Sequence, residues 1–377
     1  MSAEISPTAS NSHLAYILEL ICNRLQITPT QHLLAEEKYK AVGNWLRAKE
    51  SPLYRYEPTI YPQGSFRIGT TVRPIEHEEY DVDLVCHLLN DGSILDPMKL
   101  LNDVYERIVS NDMYKPPVSE KKNRCVCINY KGSFHLDILP ARSDPQGHKN
   151  HILVPDKKTQ KWTASNPIGY AEWFKERAKV LIELLEKARI EPLPRYEALS
   201  DKLPLQQTVQ LLKRWNRLVF KDNDDCLTPS IVLTTLAANK YNKELLITMA
   251  LSNIVDGILE EARITSGPII VLNPTNPKEH LSEKWIENPD RYRSFIKALS
   301  QFKKEWDALF HVSGLHNIAA GLNRLFGEEV VRESVKDFGK ATQANRKVEA
   351  IGINKSGMLT GLGAAITAIK PNTFYGA

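Results

Sequence analysis

The chain has 377 residues, of which 42% are apolar, 25% charged and 8% aromatic, and these proportions exclude wholesale disorder, collagen-like repeats and a mucin-like stalk. Lysine and arginine total 49 against 45 acidic residues, a formal net charge of +4, too balanced for a dedicated nucleic-acid coat protein. At roughly 100–200 residues per domain, the length implies two or three lobes, each able to bury a core.

In chain order, residues 13–25 carry Leu14, Ile17, Leu18, Ile21 and Leu25 as a helical stripe, with Asn11 or Ser12 as cap. Thr30 is the expected cap of a second helix running to about Ala48. The pattern then turns β-like, with strands expected at 57–63, 79–87, 124–130 and 134–139 and one helix at 97–110. Lys131, Gly132 and Ser133 read as a tight turn joining the last two strands. From Gly169 onward helices are expected at 169–189, 203–220, 228–258, 290–310 and 327–341, and the proline-rich stretch 190–204 marks a lobe boundary. The expected organisation is α+β: a lobe with a small mixed sheet and the N-terminal helices (1–190), a helical lobe (191–350) and a Gly/Ala/Ser-rich, flexible tail (351–377).

Five cysteines without a CxxC pair argue against disulfide scaffolding and a structural zinc site, and Cys125 and Cys127 read as small core residues. The N-terminal stretch lacks a basic n-region and Glu19 interrupts it, so no signal peptide is expected. The longest apolar run, 245–259, contains Asn253 and Asp256 and falls short of the roughly 20 residues that span a bilayer. A cytoplasmic protein without a membrane partner is expected.

Three segments carry the chemistry: YPQGSFRIGTT at 61–71, EYDVDLV at 79–85 and FHLDILP at 134–140. On a strand, Asp81 and Asp83 leave the same face while Val82 and Leu84 enter the core. Adjacent carboxylates on a core strand repel each other, and a divalent cation removes that cost. Asp137, between Leu136 and Ile138, repeats the pattern. Three such acids suit two Mg2+ ions, with Mn2+ as substitute, clamping an in-line phosphoryl displacement. Gly64 lets the backbone approach a phosphate, and Ser65 adds a hydroxyl and an amide.

This ordered set resembles the nucleotidyltransferase superfamily of polymerase-β-like fold. In detail it resembles the bacterial cyclic-oligonucleotide synthases (CD-NTases) related to cyclic GMP-AMP synthase and the oligoadenylate synthetases, which act in anti-phage signalling. The similarity covers about residues 10–340. It implies an active site between the two lobes, with Asp81, Asp83 and Asp137 as catalytic metal ligands and Gln63, Gly64 and Ser65 around the donor phosphates. Further on, Leu205, Val209, Leu212, Trp215 and Val219 form an apolar stripe, with Lys213, Arg217 and Lys221 on another face, and Thr228-Pro229-Ser230 opens the next helix. The resemblance places Lys213 and Ser230 on the donor triphosphate. It brings Ser165 or Asn166 near a nucleobase, with a helix cap as the rival reading, and leaves Arg142 between a phosphate contact and a surface arginine.

The implied activity is Mg2+-dependent synthesis of a cyclic oligonucleotide from ATP and GTP, with no nucleic acid required and a separate effector sensing the product. The helical-lobe text is closest to the branch that makes cyclic trinucleotides of adenylate and guanylate. The alternatives are an RNA-tailing or small-molecule nucleotidyltransferase and a catalytically silent nucleotide-binding platform. The tail ends in Gly376 and Ala377 after Phe374 and Tyr375. It resembles a ubiquitin-like handle for a ubiquitin-transfer-like activating enzyme, with a frayed terminus as the plain reading. A zinc site at His148 and His151 and a dinucleotide fingerprint at Gly361 and Gly363 are not expected.

Overall fold

In the computed structural model, which describes residues 9–75, 79–90, 96–116, 118–179, 202–347, 351–353, 359–361 and 367–368, strand alternation builds one seven-stranded mixed sheet. Its strands are β1 (Pro58–Gln63), β2 (Tyr80–Leu88), β3 (Ser119–Lys121), β4 (Val126–Tyr130), β5 (Phe134–Ser143), β6 (Ile152–Asp156) and β7 (Lys161–Ser165). The order is β1-β2-β5-β4-β3, with β6 pairing β5 and β7 pairing β6. β2 and β5 run parallel and every other pair is antiparallel.

Helices α1 (Ala9–Leu25), α2 (Pro29–Arg47), the single turn α3 (Gly64–Arg67), α4 (Pro97–Val109) and α5 (Pro167–Ala178) accompany the sheet in sequence. The helical part comprises α6 (Pro204–Val219), α7 (Ser230–Lys240), α8 (Ile247–Ile264), α9 (Glu283–Glu287), α10 (Pro289–Leu309), α11 (Leu315–Phe326) and α12 (Glu328–Lys347). A hairpin of β8 (Leu272–Asn273) and β9 (Asn276–His280) interrupts it.

Two main cores follow from the side-chain pattern. Val82, Leu84, Leu136, Ile138, Val126 and Ile128 leave one sheet face and pack against Val42 and Leu46 of α2 and Leu100 and Val104 of α4, forming one cluster. The other cluster is helical and includes Leu205, Val209, Leu212 and Trp215 of α6. The expected stripe member Val219 is instead 45% exposed, at the end of α6. α1 packs in the helical core rather than on the sheet. Leu14, Ile17, Leu18, Ile21 and Leu25 are buried there, and Arg24 pairs with Asp337 of α12 at 2.5 Å.

Several expected boundaries shift for local reasons. α1 starts at Ala9, so Asn11 and Ser12 lie inside it. Thr28, not Thr30, caps α2: its Oγ1 accepts from Gln31 N at 3.2 Å, and its N donates to Gln31 Oε1 at 2.8 Å, with Pro29 setting the first turn. The single helix expected at 228–258 is two, broken by a polar turn. There Tyr241 donates to Glu244 O at 2.8 Å, and the Glu244 carboxylate accepts from Asn242 N and Asn253 Nδ2 at 3.0 and 2.7 Å. The β6–β7 and β8–β9 hairpins and α11 escape the pattern reading. Within the stretch expected to be weakly structured, Ile351–Ile353 pairs with Leu359–Gly361 and with Thr367–Ala368. Most of the 190–204 boundary, and the Gly376–Ala377 handle, lie outside the described residues. Among the described residues no helix is long and apolar enough to cross a membrane.

Because Ile17 is wholly buried in the helical core, Ile17→Ala should destabilise the protein by about 2–4 kcal/mol in urea unfolding. A loss under about 0.5 kcal/mol would mean that α1 does not pack there.

Candidate active site

Strand register gathers the acids. Gln63 lies opposite Asp83, Asp83 beside Asp137, and Asp137 opposite Cys127, a row across β1, β2, β5 and β4. A second row runs Asp81, His135, Asn129. Both rows share the face opposite the α2/α4 core, because Val82, Leu84, Leu136 and Ile138 occupy the other face.

This face borders a cleft of about 990 Å3. Gln63, Gly64, Ser65, Asp81 and Asp83 line it on the sheet side, and Lys213, Ser230 and Glu279 line it from the helical part and the β8–β9 hairpin. Gly64 has φ +61°, and a Cβ on it would lie 2.3 Å from Asp83 Oδ2, so the bare backbone at 64 is a condition of Asp83 sitting where it does. Ser65 is anchored by Thr71 Oγ1, which donates to its Oγ at 3.1 Å, and by Thr70 N, which donates to its carbonyl at 2.9 Å.

The acids strain against one another. Asp81 opens onto the cleft and Asp83 lies half-buried behind it, and the surrounding protein desolvates both. That desolvation, with Asp81 and Asp137 adding repulsion, pushes the Asp83 carboxyl up to about 8 against the pull of Lys213 and Lys122. Asp81 is raised by the same desolvation and by Asp137. Lys213 is drawn down to about 8 by desolvation, opposed chiefly by Asp83. Three carboxylates crowded on one face are a hard-oxygen donor set, the chemistry that suits a divalent cation. Among the described residues, no group of three or more His, Cys, Asp or Glu side chains is disposed to hold a metal ion. Asp137 is instead engaged by Lys122, whose Nζ donates to its two oxygens at 3.1 and 3.3 Å.

α6 ties the glycine-serine turn to the helical part through one polar row. Gln206 donates to Ile68 O at 3.0 Å, Gln210 to Thr71 O at 2.7 Å, and Lys213 to Thr70 O and Oγ1, both at 3.1 Å. The spacing i, i+4, i+7 puts these three on one helix face, flanking the apolar stripe. Lys213 thereby faces the acids from a fixed position rather than from a solvated surface.

Ser230 is the first residue of α7 and lines the cleft. Asn166, for which a base contact and a helix cap are both expected readings, is buried and caps α5. Its Oδ1 accepts from Gly169 N at 3.0 Å and its Nδ2 donates to Thr275 O at 3.2 Å. Ser165 is the one of the pair that lines the cleft, donating to the Glu279 carboxylate at 3.0 and 3.1 Å. Glu279 also accepts from Asn273 Nδ2 at 2.7 Å, and burial raises its carboxyl. Arg142 sits 5.7 Å from the Trp162 ring and is not among the residues lining the cleft. Sequence reasoning missed Lys122, Glu279, Asn129 and His135, whose Nε2 is 3.1 Å from Glu79 Oε2. The Gln206–Gln210–Lys213 spacing was a signal available to it; for Lys122 there was none, because only strand pairing brings that lysine to Asp137.

A sheet with paired acids on one strand and a third on its parallel neighbour, beside a cleft walled by a helical part, is the arrangement that the resemblance implies for a nucleotidyltransferase. Residues 12–178 match the Second Messenger Oligonucleotide or Dinucleotide Synthetase domain. The chain is 32% identical over 343 residues to a c-di-GMP synthase of Roseivirga ehrenbergii, covering 90% of each protein. It is 26% identical to the cyclic dinucleotide synthase CdnG of Bradyrhizobium diazoefficiens, covering 92% of this chain and 88% of that one. The solved structure of that CD-NTase with GTP superposes with a TM-score of 0.72 at 23% identity, covering 86% of this chain and 98% of that one. The chain belongs to the bacterial CD-NTase family of cyclic dinucleotide and oligonucleotide synthases.

The crowded acids predict a pH signature. Asp83 has a folded-state pKa of about 8 against roughly 3.9 in an unfolded chain. Between those values the folded state binds more protons, so metal-free stability falls as pH rises from about 4 to 8. The lowered Lys213 acts in a different window, above about pH 8, where stability rises with pH. In Asp83→Asn the melting temperature without metal should fall less between pH 5 and 8 than in the wild type and should be equal or higher at pH 8. An unchanged slope would remove Asp83 from the strained face.

Proposed function

We propose that the protein is a divalent-metal-dependent synthase of a guanylate-containing cyclic dinucleotide, made from GTP alone or with ATP, that serves as a second messenger in bacterial anti-phage defence and is sensed by a separate effector. The observation that carries the chemistry is the row Gln63, Asp83, Asp137 with Asp81 adjoining, faced by Lys213 across the cleft. Two relatives are a c-di-GMP synthase and a cyclic dinucleotide synthase, which moves the favoured product from the trinucleotide expected from sequence to a dinucleotide.

In this reading Asp81, Asp83 and Asp137 hold two divalent cations, Mg2+ or Mn2+, which when bound acidify the acceptor hydroxyl and neutralise the leaving pyrophosphate. Gly64 and Ser65, with Gln63 beside them, receive the donor's β- and γ-phosphates. Lys213 and Ser230 hold the same triphosphate from the opposite wall, so that charge is neutralised on both sides. Lys213 reaches it already oriented by Thr70. The acceptor hydroxyl attacks the α-phosphorus, pyrophosphate leaves, and a second round closes the ring.

Incubation with all four nucleoside triphosphates and Mg2+, without and with added RNA, followed by mass spectrometry of the phosphatase-resistant material and of the RNA, tests the reading. A cyclic dinucleotide containing guanylate is expected from the wild type, and none from the double variant Asp81→Asn, Asp83→Asn. A cyclic trinucleotide would restore the sequence expectation, nucleotide added to RNA would favour a tailing enzyme, and no product under any condition would favour a binding platform.

A further inference from the structure

Lys122 stands directly after β3, where its N–H donates to Cys125 O at 2.9 Å and closes the turn into β4. From there its side chain reaches past Cys127, the cross-strand neighbour of Asp137, and its ammonium donates to both oxygens of Asp137. Among the described residues it is the cation paired directly with one of the three acids, since Lys213 is bonded to Thr70. Its side chain is 37% exposed, so the ion pair is tight in geometry and open to exchange. A divalent ion at Asp137 needs at least one of the oxygens that Lys122 now holds.

On the metal-site reading given above, we propose that Lys122 is a positioning residue that holds Asp137 in place of the metal and makes metal binding at this acid conditional on nucleotide. Without nucleotide, an arriving divalent ion must displace a resident positive charge, which weakens its binding. A nucleoside triphosphate brings several negative charges, so that both cations are accommodated and the displaced ammonium gains a phosphate as its new partner. The lysine also steadies the acidic face until then by offsetting repulsion that Asp81 and Asp83 cannot relieve themselves.

The test is Mn2+ binding to the full chain, followed by electron paramagnetic resonance of free Mn2+, with and without a non-hydrolysable GTP analogue. Lys122→Met should bind Mn2+ roughly three- to tenfold more tightly without nucleotide, a modest factor because the pair is partly solvated. The affinity gained on adding the analogue should shrink by the same factor. Lys122→Gln should repeat this, guarding against a folding defect in the methionine variant, and Lys122→Arg should behave like the wild type. Unchanged or weaker nucleotide-free Mn2+ binding in the folded neutral variants would overturn the role of Lys122. Failure of the wild type to bind Mn2+ even with the analogue would overturn the metal-site reading itself, a distinct result.

Discussion

Three carboxylates are held on one face of a sheet whose other face is closed by a hydrocarbon core, and strand register leaves them no route apart. Asp83 and Asp137 are neighbours across the parallel β2–β5 pair, and Asp81 lies one step along. Their alternating partners are wholly buried, so flipping either strand to separate the charges would turn Val82, Leu84, Leu136 and Ile138 out of the core. The repulsion is therefore built in. Much of the site is arranged around it: a glycine where any side chain would strike Asp83, a lysine on Asp137, and a second lysine facing Asp83 from α6.

α6 carries this arrangement from one core to the other. One of its faces buries Leu205, Val209, Leu212 and Trp215 in the helical cluster. Its polar row fixes the carbonyls of Ile68, Thr70 and Thr71, just beyond the glycine-serine turn. Lys202 adds a bond to Gly69 O at 2.6 Å. Each bond satisfies a backbone acceptor that secondary structure leaves open. Packing in the helical core and placement of the glycine-serine turn are thus coupled mechanically, with α1, α8 and α11 packed on α6 and α12 packed on α1 and α11.

What the sequence disclosed depended on range. The acids and the glycine-serine turn were legible because strand alternation is local, and an acid between Leu136 and Ile138 contradicts it visibly. Lys213 was legible only as a flank of an apolar stripe; its bond to Thr70 spans 143 positions. Asn166 stayed open between two readings because an asparagine before a proline-led helix satisfies a cap and a ligand contact equally well in one dimension. The break between α7 and α8 was hidden because Glu244 and Asn253, which stabilise it, read as helix formers or neutral residues. Lys122 carried no signal, being drawn to Asp137 by pairing of three strands.

The most direct measurement is a crystal structure of the protein with Mn2+ and a non-hydrolysable GTP analogue, with anomalous scattering used to locate the ions. The proposed site predicts two Mn2+ peaks about 3.5–4 Å apart on the face shared by Asp81, Asp83 and Asp137, with the triphosphate between Gly64-Ser65 and Lys213. Well-ordered analogue in the cleft with no Mn2+ at Asp81 or Asp83 would contradict it.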